Sequence, residues 1–165
     1  MFNINDYVVY NATGVFKIID IRREHDILDK ETEYYVLQPA YNNNLTIKIP
    51  VNAPRVSMRL IMTKDEVLSL IASMPDIEAL WINDDRERNE RFKTALKTAN
   101  SEEWAKLIKT IYLQKQEKID IGKKLAQTDE NIMKAAEKNL YEEFAIALNI
   151  TPDEVVSYIT ERVPS

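Results

Sequence analysis

The stretch from Leu45 to Pro50 reads "LTIKIP". Leu45, Ile47 and Ile49 alternate strictly with Thr46 and Lys48, which predicts a β-strand with one face buried and the other wet. Pro50 stops it, because proline cannot donate to a ladder. Such a strand can lie at the edge of a sheet and offer itself to a partner strand, or inside a small barrel with both sides paired. The sequence leaves these two placements open.

Working outward, the flanking segments are also short strands joined by turns. "YVVY" (7–10) is β-rich, and "NATG" (11–14) is turn chemistry, with Gly14 free to take positive φ. In "VFKIIDIRRE" (15–24), Phe16, Ile18 and Asp20 fall on one side and Val15, Lys17, Ile19 and Ile21 on the other. "DILDKETE" (26–33) reads as a polar connection, "YYVLQP" (34–39) as a third strand and "YNNN" (41–44) as a turn. "RVSMRLI" (55–61) supplies a fifth short strand. Five short strands in sixty residues predict a small antiparallel barrel of the SH3 or Tudor kind.

From Thr63 the period changes to that of helices. "TKDEVLSLIASM" is capped by Thr63, with Glu66 at the capping-box position, and Pro75 marks a break. "IEALWI" (77–82) can form one turn of core-packing helix or display Trp81 for a partner. "DRERNERFKTALKTA" (85–99) has Phe92, Ala95, Leu96 and Ala99 as its apolar edge. A further helix starts at Asn100 with Glu103, and Trp104, Leu107, Ile108 and Ile111 follow the i, i+3, i+4, i+7 template. Met133, Ala136, Leu140, Phe144 and Ala147 line the next, and Thr151, Pro152 and Glu154 open the last. The expected fold class is α+β: a β-barrel over residues 1–60, then a bundle of about five helices over 61–165.

Composition narrows the function. The chain has no cysteine and one histidine, His25, so neither a thiolate zinc site nor a thiol nucleophile is available. It has two glycines, too few for a phosphate-cradling loop. Its carboxylates fall mostly at helix starts or beside lysines. No catalytic set, metal, cofactor or small-molecule substrate is expected. The lack of a long apolar run argues against a membrane span, and the whole fits a cytoplasmic protein.

The formal net charge is −5, which argues mildly against nucleic-acid binding by bulk electrostatics. The distribution is more informative. Residues 86–124 hold eleven Lys/Arg against six Asp/Glu, while residues 61–85 hold one against six and 125–165 three against eight. A basic segment therefore lies between acidic ones and can focus a local field. On a helix, Arg86, Lys93 and Lys97 fall near one stripe with Arg88 and Arg91 beside it, and Lys123 and Lys124 precede the next helix. These can contact phosphates without reading bases, or form an ordinary solvated face. Trp81, just before this run, is either a buried anchor or displayed for a partner.

The opening "MFNINDYVVYNATGV", the pair "YYVLQ" and "LTIKIPVNA", and "LYEEFAIAL" near the end together resemble the bacterial CarD/CdnL family of transcription factors. The N-terminal module of that family is shared with transcription-repair coupling factors. The resemblance implies that a strand edge of the barrel pairs with the β subunit of RNA polymerase. It places Lys48 at a basic position of that strand, flanked by Thr46, Ile47 and Ile49, with Arg22 and Arg23 near another basic position. It also implies that the helical module contacts promoter DNA at the upstream edge of the bubble, a tryptophan wedging into the minor groove to help keep the promoter open. Residues Arg91, Phe92 and Lys93 of "RNERFK" match part of the DNA-contacting motif. The family's tryptophan position falls on Arg88, whereas Trp81 lies eleven residues before Phe92. Asn11 stands where the family usually has proline, and Glu130 where it has a basic residue. The resemblance thus implies a non-enzymatic regulator, nucleoid-associated through polymerase, with Trp81, Arg91 and Lys93 toward DNA, to which the charge pattern adds Arg88, Lys97, Lys123 and Lys124. The alternative is a polymerase-binding adaptor that recruits another protein without touching DNA.

Overall fold

A computed structural model describes residues 1–11, 13–42, 44–53 and 57–163. The chain forms two compact units, Met1–Ile61 and Met62–Ser165. Ala12 of the first turn, Asn43 of the second, and Arg55 and Val56 of the fifth strand stretch lie outside the described residues.

Among its described residues the first unit has five strands: β1 Tyr7–Tyr10, β2 Val15–His25, β3 Glu31–Pro39, β4 Ile47–Pro50 and β5 Met58–Leu60. They form one antiparallel sheet in the order β4-β3-β2-β1-β5. Val8, Phe16, Ile18, Tyr35, Leu37 and Ile49 make its core, and Ile47, Val51 and Met58 pack against them. Residues from both edge strands thus reach one core, so the sheet is curled rather than flat. Thr46 and Leu45, placed in the strand by their alternation, precede β4, and Leu45 is exposed.

The alternation of β2 breaks at a bulge. Ile18 lies opposite Leu37 and Asp20 opposite Val36, so Ile19 has no partner across the ladder. One extra residue exchanges the two faces of a strand. Ile21 therefore joins Phe16 and Ile18 against the core, contrary to the uninterrupted period-two reading. Residues 31–33, expected in a connection, belong to β3, so β2 and β3 form a long hairpin closed by Asp26–Lys30.

The second unit has α1 Lys64–Ser73, a 3-10 turn Met74–Asp76, α2 Asp85–Lys97, α3 Ser101–Asp120, α4 Gln127–Leu148 and α5 Pro152–Arg162. Thr63 with Glu66 and Thr151 with Glu154 each make a reciprocal capping box. Asn100 caps α3 by accepting from the Glu102 and Glu103 N–H groups. Helix α4 packs against all four other helices. Trp104, Ile111, Ala136, Leu140 and Phe144 are buried where they meet. Burying each of Ile111, Leu140 and Phe144 contributes about 1.5–3 kcal/mol of transfer free energy.

Residues 77–82 are not helical, contrary to the reading of "IEALWI" as a helical turn. Pro75 starts only the short 3-10 turn, and Asp84 must adopt an extended conformation (ψ 119°) to cap α2 by accepting from the Glu87 N–H. The chain between them runs as an irregular loop carrying Trp81.

Candidate functional site

The strand β4 lies at one edge of the sheet and, among the described residues, pairs only with β3. The ladder places Ile47 opposite Leu37, Lys48 opposite Val36, Ile49 opposite Tyr35 and Pro50 opposite Tyr34. Just past the strand, the Val51 N–H donates to the Glu33 carbonyl at 2.9 Å. Hydrogen-bonded pairs alternate along an antiparallel ladder. Ile47, Ile49 and Val51 therefore bond inward to β3, and the N–H and C=O of Lys48 point away from the sheet. Pro50, which has no N–H, occupies another outward position and leaves no unpaired donor there. The outer edge therefore offers a donor and an acceptor at Lys48, whereas the Pro50 carbonyl already accepts from the Ala53 N–H at 3.1 Å.

The side chains sort by the same parity. Ile47 and Ile49 face their own core, so these two, expected in direct contact with a partner, turn inward both side chain and N–H. Lys48 stands on the opposite face with its Nζ 2.6 Å from Glu24. Both side chains are largely solvated, so this ion pair contributes little, about 0–1 kcal/mol. Arg22 lies opposite Tyr34, which lies opposite Pro50, so Arg22 shares the face of Lys48. It is held by Asp20 at 2.7 Å. The Arg22 guanidinium and the Ile21 N–H, both bonding the Asp20 carboxylate, hold it below its ordinary pKa even against partial desolvation. Arg23 falls on the other face beside Glu33 at 3.4 Å, so the two arginines are separated by the sheet.

In the second unit, Arg88 is the main departure from expectation. Its exposure is 5%, and its Nε and Nη2 donate to the two oxygens of fully buried Asp129, both at 3.0 Å. Nη1 donates to the Ile82 carbonyl at 3.0 Å, and Nη2 lies 2.8 Å from Asp85. Its guanidinium sits 4.4 Å from the Trp81 ring centroid. Burial works against the charge, but the bonds to Asp129 and Asp85 outweigh it and raise the Arg88 pKa. Arg88 is thus spent on internal partners and is corrected from a phosphate contact to the residue that fixes the Trp81 loop. Trp81 itself is half-buried, its ring edge-on to Phe92 at 5.9 Å. Trp104 lies in the core, its Nε1–H donating to the Leu96 carbonyl.

Arg91, Lys93 and Lys97 are exposed along α2. Arg91 pairs with Glu87 at 3.4 Å, and Arg86 with Glu90 at 3.5 Å, which dilutes the positive field there. Arg91 also lines a hollow of about 610 Å³ between the Leu80–Ile82 loop, α2 and α3. Gly122, at φ +74°, ends α3 and turns the chain toward α4. Lys123 and Lys124 follow it and line a second hollow with Lys115 and Lys134. These last two lysines, on different helices, were not singled out by the sequence pattern. The only signal available was that Lys134 falls one helical turn past Glu130, which ion-pairs Lys115 at 2.8 Å. The expected DNA-facing residues thus fall in two groups, the exposed face of α2 and the lysine hollow.

Glu143 is a buried carboxylate whose chemistry is structural. It accepts from the Met62 N–H at 2.8 Å and from the Ser101 hydroxyl, tying the start of the second unit to the start of α3. Among the described residues, no group of three or more His, Asp or Glu could hold a metal ion, and no helix is long and apolar enough to cross a membrane.

No curated protein matches the chain. Residues 2–62, which span the first unit, match the family described as the CarD-like/TRCF RID domain. The match covers the first unit alone, which is similar to that transcription-associated, RNA polymerase-binding domain type.

Proposed function

We propose that this protein is a non-enzymatic transcription regulator that docks on polymerase by strand addition at β4 and contacts promoter DNA through its helical unit. The observation that carries the docking half is the outward-facing backbone of Lys48 on an edge strand. Strand addition draws affinity from main-chain bonds and specificity from the flanking side chains, and here those are Thr46, Lys48 and Arg22. For the DNA half, the support is the lysine hollow around Lys123 and Lys124 and the exposed Lys93 and Lys97. Contacts of this kind are to phosphates and carry no base specificity. Tethering to polymerase supplies a high effective DNA concentration, so a weak basic surface suffices despite the net charge of −5. Trp81 then acts as a minor-groove wedge that stabilises the open promoter.

The adaptor reading has one observation in its favour: Trp81 is packed between Arg88 and Phe92. A packed tryptophan has to leave those contacts before it can wedge. Fluorescence anisotropy of labelled fork-junction promoter DNA with polymerase holoenzyme separates the two. Under the regulator reading the wild-type chain stabilises the open complex, and Trp81→Ala loses that effect while still binding polymerase. If both bind polymerase and neither changes the DNA signal, the adaptor reading replaces it.

A further inference from the structure

The β2–β3 hairpin ends in a built turn that displays two large apolar side chains. The Asp26 carboxylate accepts from the N–H groups of Leu28 at 2.9 Å and Lys30 at 2.8 Å. The Asp26 N–H donates to the Lys30 carbonyl, and the Asp29 N–H to the Asp26 carbonyl, both at 3.0 Å. Asp29 takes the left-handed conformation, φ +59°, that aspartate tolerates better than most residues. The two aspartates thus do the turn chemistry, and positions 27 and 28 are left unconstrained by it. Polar residues normally occupy such a tip. Here it holds Ile27, 101% exposed, and Leu28, 88% exposed.

Scattered apolar residues on a surface need no explanation. Three features set this pair apart. The turn is fixed by four hydrogen bonds, so its side chains are presented with little ordering cost on binding. Of the five carboxylates from Glu24 to Glu33, Glu24 pairs with Lys48 and Glu31 and Glu33 with Arg23, which leaves Asp26 and Asp29 against Lys30 and a mildly acidic tip that suits a basic surround. The position is also continuous with the β4 edge. The β3–β4 ladder ends with Val51 bonded to Glu33, and β3 runs on through Thr32 and Glu31 to the turn. At about 3.3 Å per residue, the tip stands roughly 10–15 Å past Pro50. A strand added along β4 continues toward it.

We propose that Ile27 and Leu28 form a second docking element, inserting into an apolar, basic-rimmed pocket on the same polymerase subunit whose strand pairs with β4. This rests on the polymerase reading of the β4 edge. The test measures binding of the full chain to purified RNA polymerase β subunit, alongside thermal melting of each variant. Lys48→Pro removes the outward N–H, together with the Lys48–Glu24 ion pair, and reports on the edge. Ile27→Ser/Leu28→Ser changes only exposed side chains and reports on the tip. The expected result is that the wild type binds, Lys48→Pro abolishes binding, and the double serine variant weakens it at least tenfold with an unchanged melting temperature. Wild-type affinity in the double serine variant, with Lys48→Pro still inactive, overturns the tip and leaves the edge intact. A wild-type chain that sediments as a dimer which the serine variant cannot form, with equal binding to β, assigns the tip to a second copy and overturns the proposal. A wild-type chain that does not bind β overturns both edge and tip.

Discussion

Arg88 and Asp129 meet through two parallel hydrogen bonds of 3.0 Å, and the same guanidinium stacks 4.4 Å from the Trp81 ring. One buried ion pair between α2 and the first turn of α4 therefore sets where the Trp81 loop lies. The Ile82 carbonyl, bonded to the same guanidinium, adds a backbone anchor to the ring contact.

Breaking that pair from one side leaves a buried charge without its partner, which typically costs about 3–5 kcal/mol. Asp129→Asn is expected to lie toward the low end, since the amide keeps the shape and one acceptor. Arg88→Met with Asp129→Leu removes both charges and is expected to cost less than Asp129→Asn alone. Urea denaturation of the three proteins checks the order. A loosened Trp81 loop also predicts a weaker near-UV circular dichroism signal in Asp129→Asn than in the wild type.

Asn11 adopts φ +49°, its N–H donates to the Ser57 carbonyl at 2.6 Å, and its Oδ1 accepts from the Ser57 N–H at 3.0 Å. The proline that the family usually carries here cannot take positive φ and has no N–H to give. Asn11→Pro is therefore expected to destabilise the first unit by about 3 kcal/mol or more. Asn11→Gly keeps the conformation and loses only the side-chain bond, so it is expected to cost about 1 kcal/mol. Thermal melts of the two variants read the difference.

Much of this architecture is legible in the sequence, and the failures have definite causes. The capping boxes at Thr63 and Thr151 are local signals and appear where the residues place them, and the β4 alternation holds from Ile47 to Pro50, though Leu45 and Thr46 fall outside the strand. The β2 bulge is not local. It exists only against β3, so Ile21 could not be placed from its own strand. The edge position of β4 likewise depends on the sheet order and not on "LTIKIP" itself. Arg88 and Asp129 are 41 residues apart, and each resembles an ordinary surface charge in its own run. One signal was present: Arg88 lies one helical turn before Phe92, on the stripe that continues to Ala99, so its side chain had to point inward.

Burial, reinforced by the charge of Glu137, pushes the Tyr141 phenol up to about 12. A folded pKa above the unfolded value of about 10 means that the fold favours the neutral phenol. Its stability contribution is fully present below pH about 10 and is lost as pH rises toward 12. A phenolate absorbance titration is expected to show a step near pH 12, and Tyr141→Phe to abolish it. The Tyr141→Phe protein is also expected to lose less stability than the wild type across that window. Glu137 behaves in the same sense at lower pH. Its carboxyl is raised by burial and by Glu130, so the penalty it carries when ionised is relieved on acidification.

The central claim is that the outer edge of β4 receives a strand from the polymerase β subunit. Amide hydrogen exchange at Lys48 tests it most directly, because that N–H points away from β3 and has no partner among the described residues. The account predicts fast exchange at Lys48 in the free protein and strong protection once the β subunit is bound, with Ile49, already bonded to β3, changing far less. Unchanged exchange at Lys48 in a saturated complex contradicts it.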